Sequence, residues 1–266
     1  MNTLKRAVVA IAAVALVLCL DATRSGATTW WHPGHITSFQ VQLSGTIDTS
    51  YHGQAYEIDW QEAASTVSKL HSLGKRVICY VDVGGWEDYR PDAFKYPDSV
   101  KGATVGGWPD ERYVDVRARS VLEPILMSRF RTCRNKHFDA IDTDLDDQYQ
   151  ADTGFPLTKA SYETFNKWIT ADVHGLGMAR FLKNGATGDS FVRDMQPYAD
   201  GVVVEECWHY NECGTFQPFA TAGKPILNVE YDGSKTKVCP KALDFPMATM
   251  EKDESLSRTV RWHCWS

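Results

Sequence analysis

The chain has 266 residues, 43% of them hydrophobic and 12% aromatic, which suits one large α/β domain and excludes a disordered chain. Its 34 acidic residues outnumber 28 basic ones, for a net charge of −6. That balance argues against nucleic acid or anionic membrane as partners and favours a cationic substrate.

At the N-terminus, Lys5 and Arg6 precede the apolar run Ala7–Leu20, and Ser25, Gly26 and Ala27 supply small residues for cleavage. This is the pattern of a secretory signal peptide over residues 1–27. The run is short for a bilayer span, and bulky Leu18 before Cys19 argues against a lipid anchor. The expectation is a secreted protein, bound to no membrane, with a single domain over residues 28–266 and a monomeric state. Without the leader, 25 basic and 33 acidic residues remain, a net charge of −8.

Losing Cys19 with the leader also leaves six cysteines. An even number in an exported chain points to disulfides, and the preferred pairing of fifteen possible ones is Cys79–Cys133, Cys207–Cys213 and Cys239–Cys264. Zinc is disfavoured, because neither a C-x-x-C pair nor a His-x-x-x-His partner is present.

Eight apolar segments read as strands: FQVQL (39–43), AYEIDW (55–60), RVICYVDVG (76–84), FDAIDTD (138–144), ARFLKNG (179–185), GVVVEEC (201–207), PILNVEY (225–231) and FPMATME (245–251). Helical patterns lie between several of them, at 60–75, 120–136 and 158–177, the last ending on a glycine stop signal. Strand–helix alternation of this kind predicts a single (β/α)8 TIM-type barrel. No G-x-G-x-x-G follows the first strand, so a dinucleotide-binding sheet is disfavoured.

In a barrel, the C-terminal strand ends form the active face. Asp82, Asp142, Asp144, Glu205, Glu206 and Glu230 all fall at such ends, and Glu251 and Asp253 lie at or just beyond the last one. Strand alternation puts Ala140, Asp142 and Asp144 on one face, the small alanine suiting the barrel interior. The D-x-D-x-D of this stretch begins like a calcium loop but has Asp147 and Thr153 where that loop needs Gly and Glu. Asp139, Asp146 and Asp147 are assigned instead to a solvated or ion-paired loop. Asp142 and Asp144 suit paired-carboxylate cleavage of a glycosidic bond, in which one acid protonates the leaving oxygen and a second attacks or activates water. Trp30, Trp31, Trp86, Tyr89, Trp108, Tyr149, Trp208 and Tyr210 are placed in loops or at strand ends and supply the flat apolar faces of a sugar cleft.

Taken in order, FQVQLSGTIDTS, YEIDW, LHSLGKRVICYVDVGGWEDYRPD, GWPDERYVDVR, FDAIDTDLDDQYQADTGFPLT, FLKNG, EECWHYNEC and AGKPILNVEY make the chain resemble glycoside hydrolase family 114, the endo-α-1,4-polygalactosaminidases. The family pattern of acid, Pro, Asp, Asn falls here on Asp142, Thr143, Asp144 and Leu145. Asp144 matches the catalytic aspartate of the family, and Glu205, two residues before Cys207, matches its second acid; Glu206 stands where Gln is more usual. Alternation alone does not choose between Glu205 and Glu206, and the resemblance makes that choice.

The resemblance implies internal hydrolysis of α-1,4-linked galactosamine or N-acetylgalactosamine polysaccharide. In a retaining mechanism, by analogy with other α-glycosidase barrels, Asp144 is the nucleophile and Glu205 the general acid/base. Asp82, Asp142, Lys183, Asn184, Trp208, Glu230 and Tyr231 are expected to bind substrate. No metal or other cofactor is required, since two carboxylates complete the chemistry. The alternative reading is a non-catalytic carbohydrate-binding barrel, supported by the departures at Thr143 and Leu145.

Overall fold

The computed structural model describes residues 29–185, 188 and 190–265; the expected signal peptide and Cys19 lie outside the described residues. Strand β1 (Phe39–Gln42) leads directly to β2 (Ala55–Asp59), and α1 (Ala64–Ser72) leads on to β3 (Arg76–Asp82). An excursion of three antiparallel strands follows, β4 (Gly85–Glu87), β5 (Lys101–Val105) and β6 (Trp108–Val114), and then α2 (Arg119–Asn135). Next come β7 (Ala140–Asp144), α3 (Lys159–Gly175), β8 (Ala179–Lys183), α4 (Phe191–Met195) and β9 (Gly201–Glu205). The chain ends with α5 (Gln217–Thr221), β10 (Ile226–Glu230), α6 (Lys235–Asp244), β11 (Ala248–Lys252) and the short β12 (Val260–His263).

The eight expected strands are all present, parallel and in the order β1-β2-β3-β7-β8-β9-β10-β11. Their curled sheet is the wall of the predicted TIM-type barrel. Closure departs from the regular scheme. The antiparallel β12, which was not anticipated, continues the sheet from β11. The turn before it reaches β1 through backbone bonds from Leu43 and Ser44 to the Leu256 carbonyl. Lys252 donates to Gln40 across the same seam at 2.8 Å.

Period-two alternation explains the two cores. Inward positions such as Phe39, Ala55, Ile78, Ala140, Ala179, Phe181, Val203 and Leu227 fill the barrel. Small alanines face the large Phe39 and Phe181, so that the layers interdigitate. Gly201 belongs to this fit, since a Cβ there would meet the Phe181 ring at 2.4 Å. Outward positions, including Ile58, Val77, Val81, Ile141, Leu182 and Val202, pack with Leu70, Leu126, Phe130, Phe165 and Ile169 of the helices. Helix α3 starts on a capping box between Thr158 and Ser161, and Gly177, with φ of 74°, ends it as its sequence signal predicts.

The excursion sits at the C-terminal end of β3 and is fastened by buried ions. Arg129 of α2 holds Asp92 through two bonds and the Asp82 carbonyl through a third. Arg90 bridges Glu87 and Asp59, at 2.7 Å each. These guanidinium forks satisfy several acceptors at once, which buried charge requires.

All three expected disulfides are formed: Cys79–Cys133 links β3 to α2, Cys207–Cys213 closes the loop after β9, and Cys239–Cys264 ties α6 to the C-terminus. Their sequence separations are 54, 6 and 25 residues. Loop-closure entropy then ranks them. Replacing Cys79 and Cys133 by Ser is expected to cost about 4 kcal/mol in denaturant unfolding, against about 2 kcal/mol for the Cys207–Cys213 pair. Equal losses would contradict this ordering.

Candidate active site

The C-terminal ends of β7, β8 and β9 bring Asp144, Lys183 and Glu205 together. The Lys183 ammonium lies 3.6 Å from Asp144 Oδ2, 3.5 Å from Glu205 Oε2 and 4.0 Å from Asp142 Oδ2. Asp144 Oδ2 and Glu205 Oε2 thus lie no farther apart than the sum of the first two contacts, about 7 Å, a bound that accommodates the retaining separation of roughly 5–5.5 Å.

Each carboxylate is also held by neutral donors. Tyr80 Oη donates to Asp144 Oδ2 at 2.7 Å, and the Leu145 amide donates to Oδ1 at 2.8 Å. Asn184 donates through Nδ2 to Glu205 Oε2 at 3.1 Å and accepts from the Glu205 amide at 2.8 Å. Tyr231 Oη donates to Glu205 Oε1. Lys183 is 4% exposed, so burial works against its charge; Asp144, Glu205, Asp142 and Glu57 overcome that and hold its pKa well above the ordinary lysine value.

Of the other expected substrate contacts, Asn184 and Tyr231 lie on Glu205, as described. Asp142 is fully buried beneath Lys183. The remaining three have other partners. Asp82 is buried and accepts from the Gly85 amide at 2.7 Å; burial, reinforced by Glu87 and Asp144, holds its carboxyl well above the usual range. Glu230 is buried and accepts from the Trp208 and His209 amides and from Asn228, so that it anchors the loop after β9. The Trp208 ring packs edge-on to Phe245 and against the α6 cluster, on the outer side of the sheet.

The aromatic set divides likewise. Trp30 stacks on His174 at 3.9 Å, and Trp31 lines a cleft with Arg76, Phe138 and Gly177, at the N-terminal strand ends opposite the mouth. Tyr149 packs with Tyr162 and Phe191. Trp86 carries Lys101 over its face. Tyr89, Trp108 and Tyr210 are exposed in segments that follow β3 or β9. In the acidic loop, Asp146 is buried against Arg180 and Thr143, and Asp139 pairs with Arg76 and His71. Asp147 is buried beside Gln148, and burial followed by the Asp146 charge pushes its pKa up to about 8.

Two acids escaped the sequence reading. Glu57 points inward from β2 and is 1% exposed; burial, only partly offset by Lys183, lifts its pKa to about 7. It lies mid-strand, where end-of-strand reasoning does not look. Glu111 of β6 pairs in register with Glu87 and approaches Tyr89 Oη at 3.4 Å. Burial, then the Glu87 and Asp144 charges, raise its pKa to about 7. Among the described residues no cluster of three His, Cys, Asp or Glu is arranged to hold a metal ion, and no helix is long and apolar enough to cross a membrane.

A sequence model of glycoside-hydrolase family GH114 matches residues 20–265. The chain belongs to this family. As a GH114 member it is a glycoside hydrolase. Ega3 of Aspergillus fumigatus, solved in complex with galactosamine, is 31% identical, with a TM-score of 0.82 over 88% of this chain and 98% of that one. The glycoside hydrolase domain of PelA from Pseudomonas aeruginosa is 14% identical, with a TM-score of 0.66 over 85% of this chain and 98% of its own, a likeness of fold. No curated protein matches the chain.

The family departures have local consequences. Thr143 donates to Asp146 at 2.6 Å and accepts from Arg180, so its hydroxyl completes a buried network below the mouth. Leu145 has φ of 54°, a left-handed conformation that a branched apolar residue adopts reluctantly and Asn tolerates. Leu145→Asn is expected to raise unfolding stability by about 1 kcal/mol without moving Asp144. Denaturant titration checks it; a loss of stability would show that the Leu145 side chain contributes more by packing than its backbone costs.

Proposed function

We propose that the GH114 member described above is a secreted, monomeric, endo-acting hydrolase of α-1,4-linked galactosamine polymers that works with retention. The observation that carries this reading is the convergence of Asp144 and Glu205 on one ammonium, Lys183, at the mouth of the barrel. The galactosamine bound by Ega3, the relative with 31% identity, supports the substrate class. Three disulfides suit an oxidising, extracytoplasmic setting.

In the proposed reaction, an Asp144 oxygen attacks the anomeric carbon as the bond to the glycosidic oxygen breaks. Glu205 gives its proton to that oxygen, which leaves as the hydroxyl of the departing chain. Water then attacks the glycosyl ester, Glu205 takes the water proton, and Asp144 departs as carboxylate. Two inversions give net retention. Lys183 keeps the two carboxylates apart and aligned, and Tyr80, Asn184 and Tyr231 fix their rotation.

Asp144→Asn and Glu205→Gln should each lower turnover of a galactosamine polymer, read as new reducing ends, by at least about a thousandfold while the fold is kept. Asp139→Asn, remote from the mouth, should cost stability and leave turnover near that of the unmodified enzyme. Substantial activity in Asp144→Asn would sink the mechanism.

Substrate charge gives a second test. The mouth retains Glu205, Glu206 and Glu111 as partly exposed acids beside Asp144. A partly deacetylated, ammonium-bearing polymer should be cleaved faster than a fully acetylated one, with the advantage shrinking as salt is raised from 0.01 M towards about 1 M. Faster cleavage of the acetylated chain, insensitive to salt, would contradict this assignment.

A further inference from the structure

Below Lys183 the barrel holds a second pair of acids that the proposed chemistry does not use. Glu57 of β2 is 1% exposed and Asp142 of β7 is fully buried. The two carboxyls are near enough to act on each other's charge. All four of their oxygens are buried without a hydrogen-bond partner. Two buried, unsolvated anions facing each other would repel and leave four acceptors empty, at a cost of several kcal/mol. One proton between them removes both faults, since it cancels one charge and supplies the missing donor. We propose that Glu57 and Asp142 share a single proton and act as one unit, carrying one negative charge that positions Lys183 beneath Asp144 and Glu205.

The surrounding groups are consistent with that count. Lys183 of β8 faces the pair from above, with Asp142 Oδ2 at 4.0 Å. Asp144 and Asp146 approach from the β7 end, and Glu205 from β9. Tyr80 of β3 stands beside Asp142 in register and is engaged by Asp144. Asp59 of β2 is neutralised by Arg90, Arg180 of β8 by Asp146, and Lys252 of β11 donates to Gln40 and the Ser257 carbonyl. Among the described residues Lys183 is the one cation within ion-pair distance of Asp142, Asp144 and Glu205, while Arg180, paired with Asp146, attracts Asp142 from farther off. A shared proton limits the excess charge around Lys183. Burial raises the proton affinity of both members, Glu57 to about 7 and Asp142 well above its ordinary value.

Glu57 and Asp142 are positioning residues, since they reach substrate only through Lys183. Their stability signature does not depend on what the enzyme cleaves. A carboxyl whose pKa is raised by folding stabilises fully below its unfolded value, near 4.3, and loses that contribution as pH rises through its folded value. The intact chain should therefore lose stability between about pH 5 and 8, and Glu57→Gln, whose amide donates permanently, should flatten that slope. The kinetic signature rests on the hydrolytic reading. The inflection near pH 7 in the rate profile should vanish in Glu57→Gln, whereas the double variant Glu57→Gln/Asp142→Asn, with no anion left to hold Lys183, should lose kcat at least about tenfold with little change in KM.

The infrared difference between the unmodified protein and Glu57→Gln at neutral pH separates the pair from Asp82, Glu111 and Asp147, whose proton affinities burial also raises. The difference should contain the carbonyl band of a protonated buried carboxyl, which should fade as pH rises through 7 to 9. Its absence at pH 6, or a Glu57→Gln protein that keeps the full pH slope of stability, would overturn the shared proton. A protein with that slope and band but no activity on galactosamine polymers would leave the pair intact and refute the substrate assignment instead.

Discussion

The mouth of this barrel depends on one buried ammonium. Lys183 is placed at the end of β8, between the strands that carry Asp144 and Glu205, and among the described residues no other cation contacts either carboxylate. An unpaired buried lysine would shed its proton, and unpaired buried acids would take one up. Here the neighbouring acids keep the ammonium charged despite its burial. The fold can then gather on β7 and β9 carboxyl groups that converge on the end of β8. The contacts of 3.5–4.0 Å are longer than direct charge-assisted hydrogen bonds, so the ammonium works as a central charge rather than as a clamp on one partner.

Around this centre, buried guanidinium groups perform a separate task. Arg90 and Arg129 fix Asp59, Glu87 and Asp92 in place and so hold the β4–β6–β5 sheet over the end of β3. Arg180 does the same for Asp146 beneath β7. Two groups of acids therefore have different cations. Asp59, Glu87, Asp92 and Asp146 pair with arginine and build the walls, whereas Asp142, Asp144 and Glu205 converge on Lys183. Planar bidentate forks suit the first role, and a compact, rotatable ammonium suits the second.

The barrel strands were legible because their inward positions alternate with unusual regularity; Asp144 and Lys183 were legible because they end such strands, and Glu205 was separated from Glu206 only by the family resemblance. The same rule set Trp208 and Glu230 beside the cleft without showing what else holds them. End-of-strand position does not reveal that α6 covers the Trp208 ring or that Glu230 is needed by two loop amides. Glu57 was passed over because it lies inside AYEIDW, two residues before the strand end at Asp59, where a polar residue reads as an outward one. The side sheet escaped because β4 is three residues long and β5 pairs irregularly, leaving no clean period. In each case the missing information is tertiary: which face another element covers.

The three strands that build the site share one further feature. Leu145, Asn184 and Glu206, the residues directly after β7, β8 and β9, all have left-handed backbones, with φ of 54°, 51° and 55°. Each turns the chain sharply just beyond the side chain that matters. At β7 the turn is locked from outside: the Val83 and Gly84 amides both donate to the Asp144 carbonyl, and a Cβ at Gly84 would meet the Leu145 carbonyl at 1.9 Å. At β8 it lets Asn184 grip Glu205 through side-chain and backbone groups together. Such conformations are costly and persist only where their surroundings enforce them. Here the enforcement comes from neighbouring strand ends, so backbone strain and side-chain placement are one arrangement: the turn that strains Leu145 also brings its amide onto Asp144.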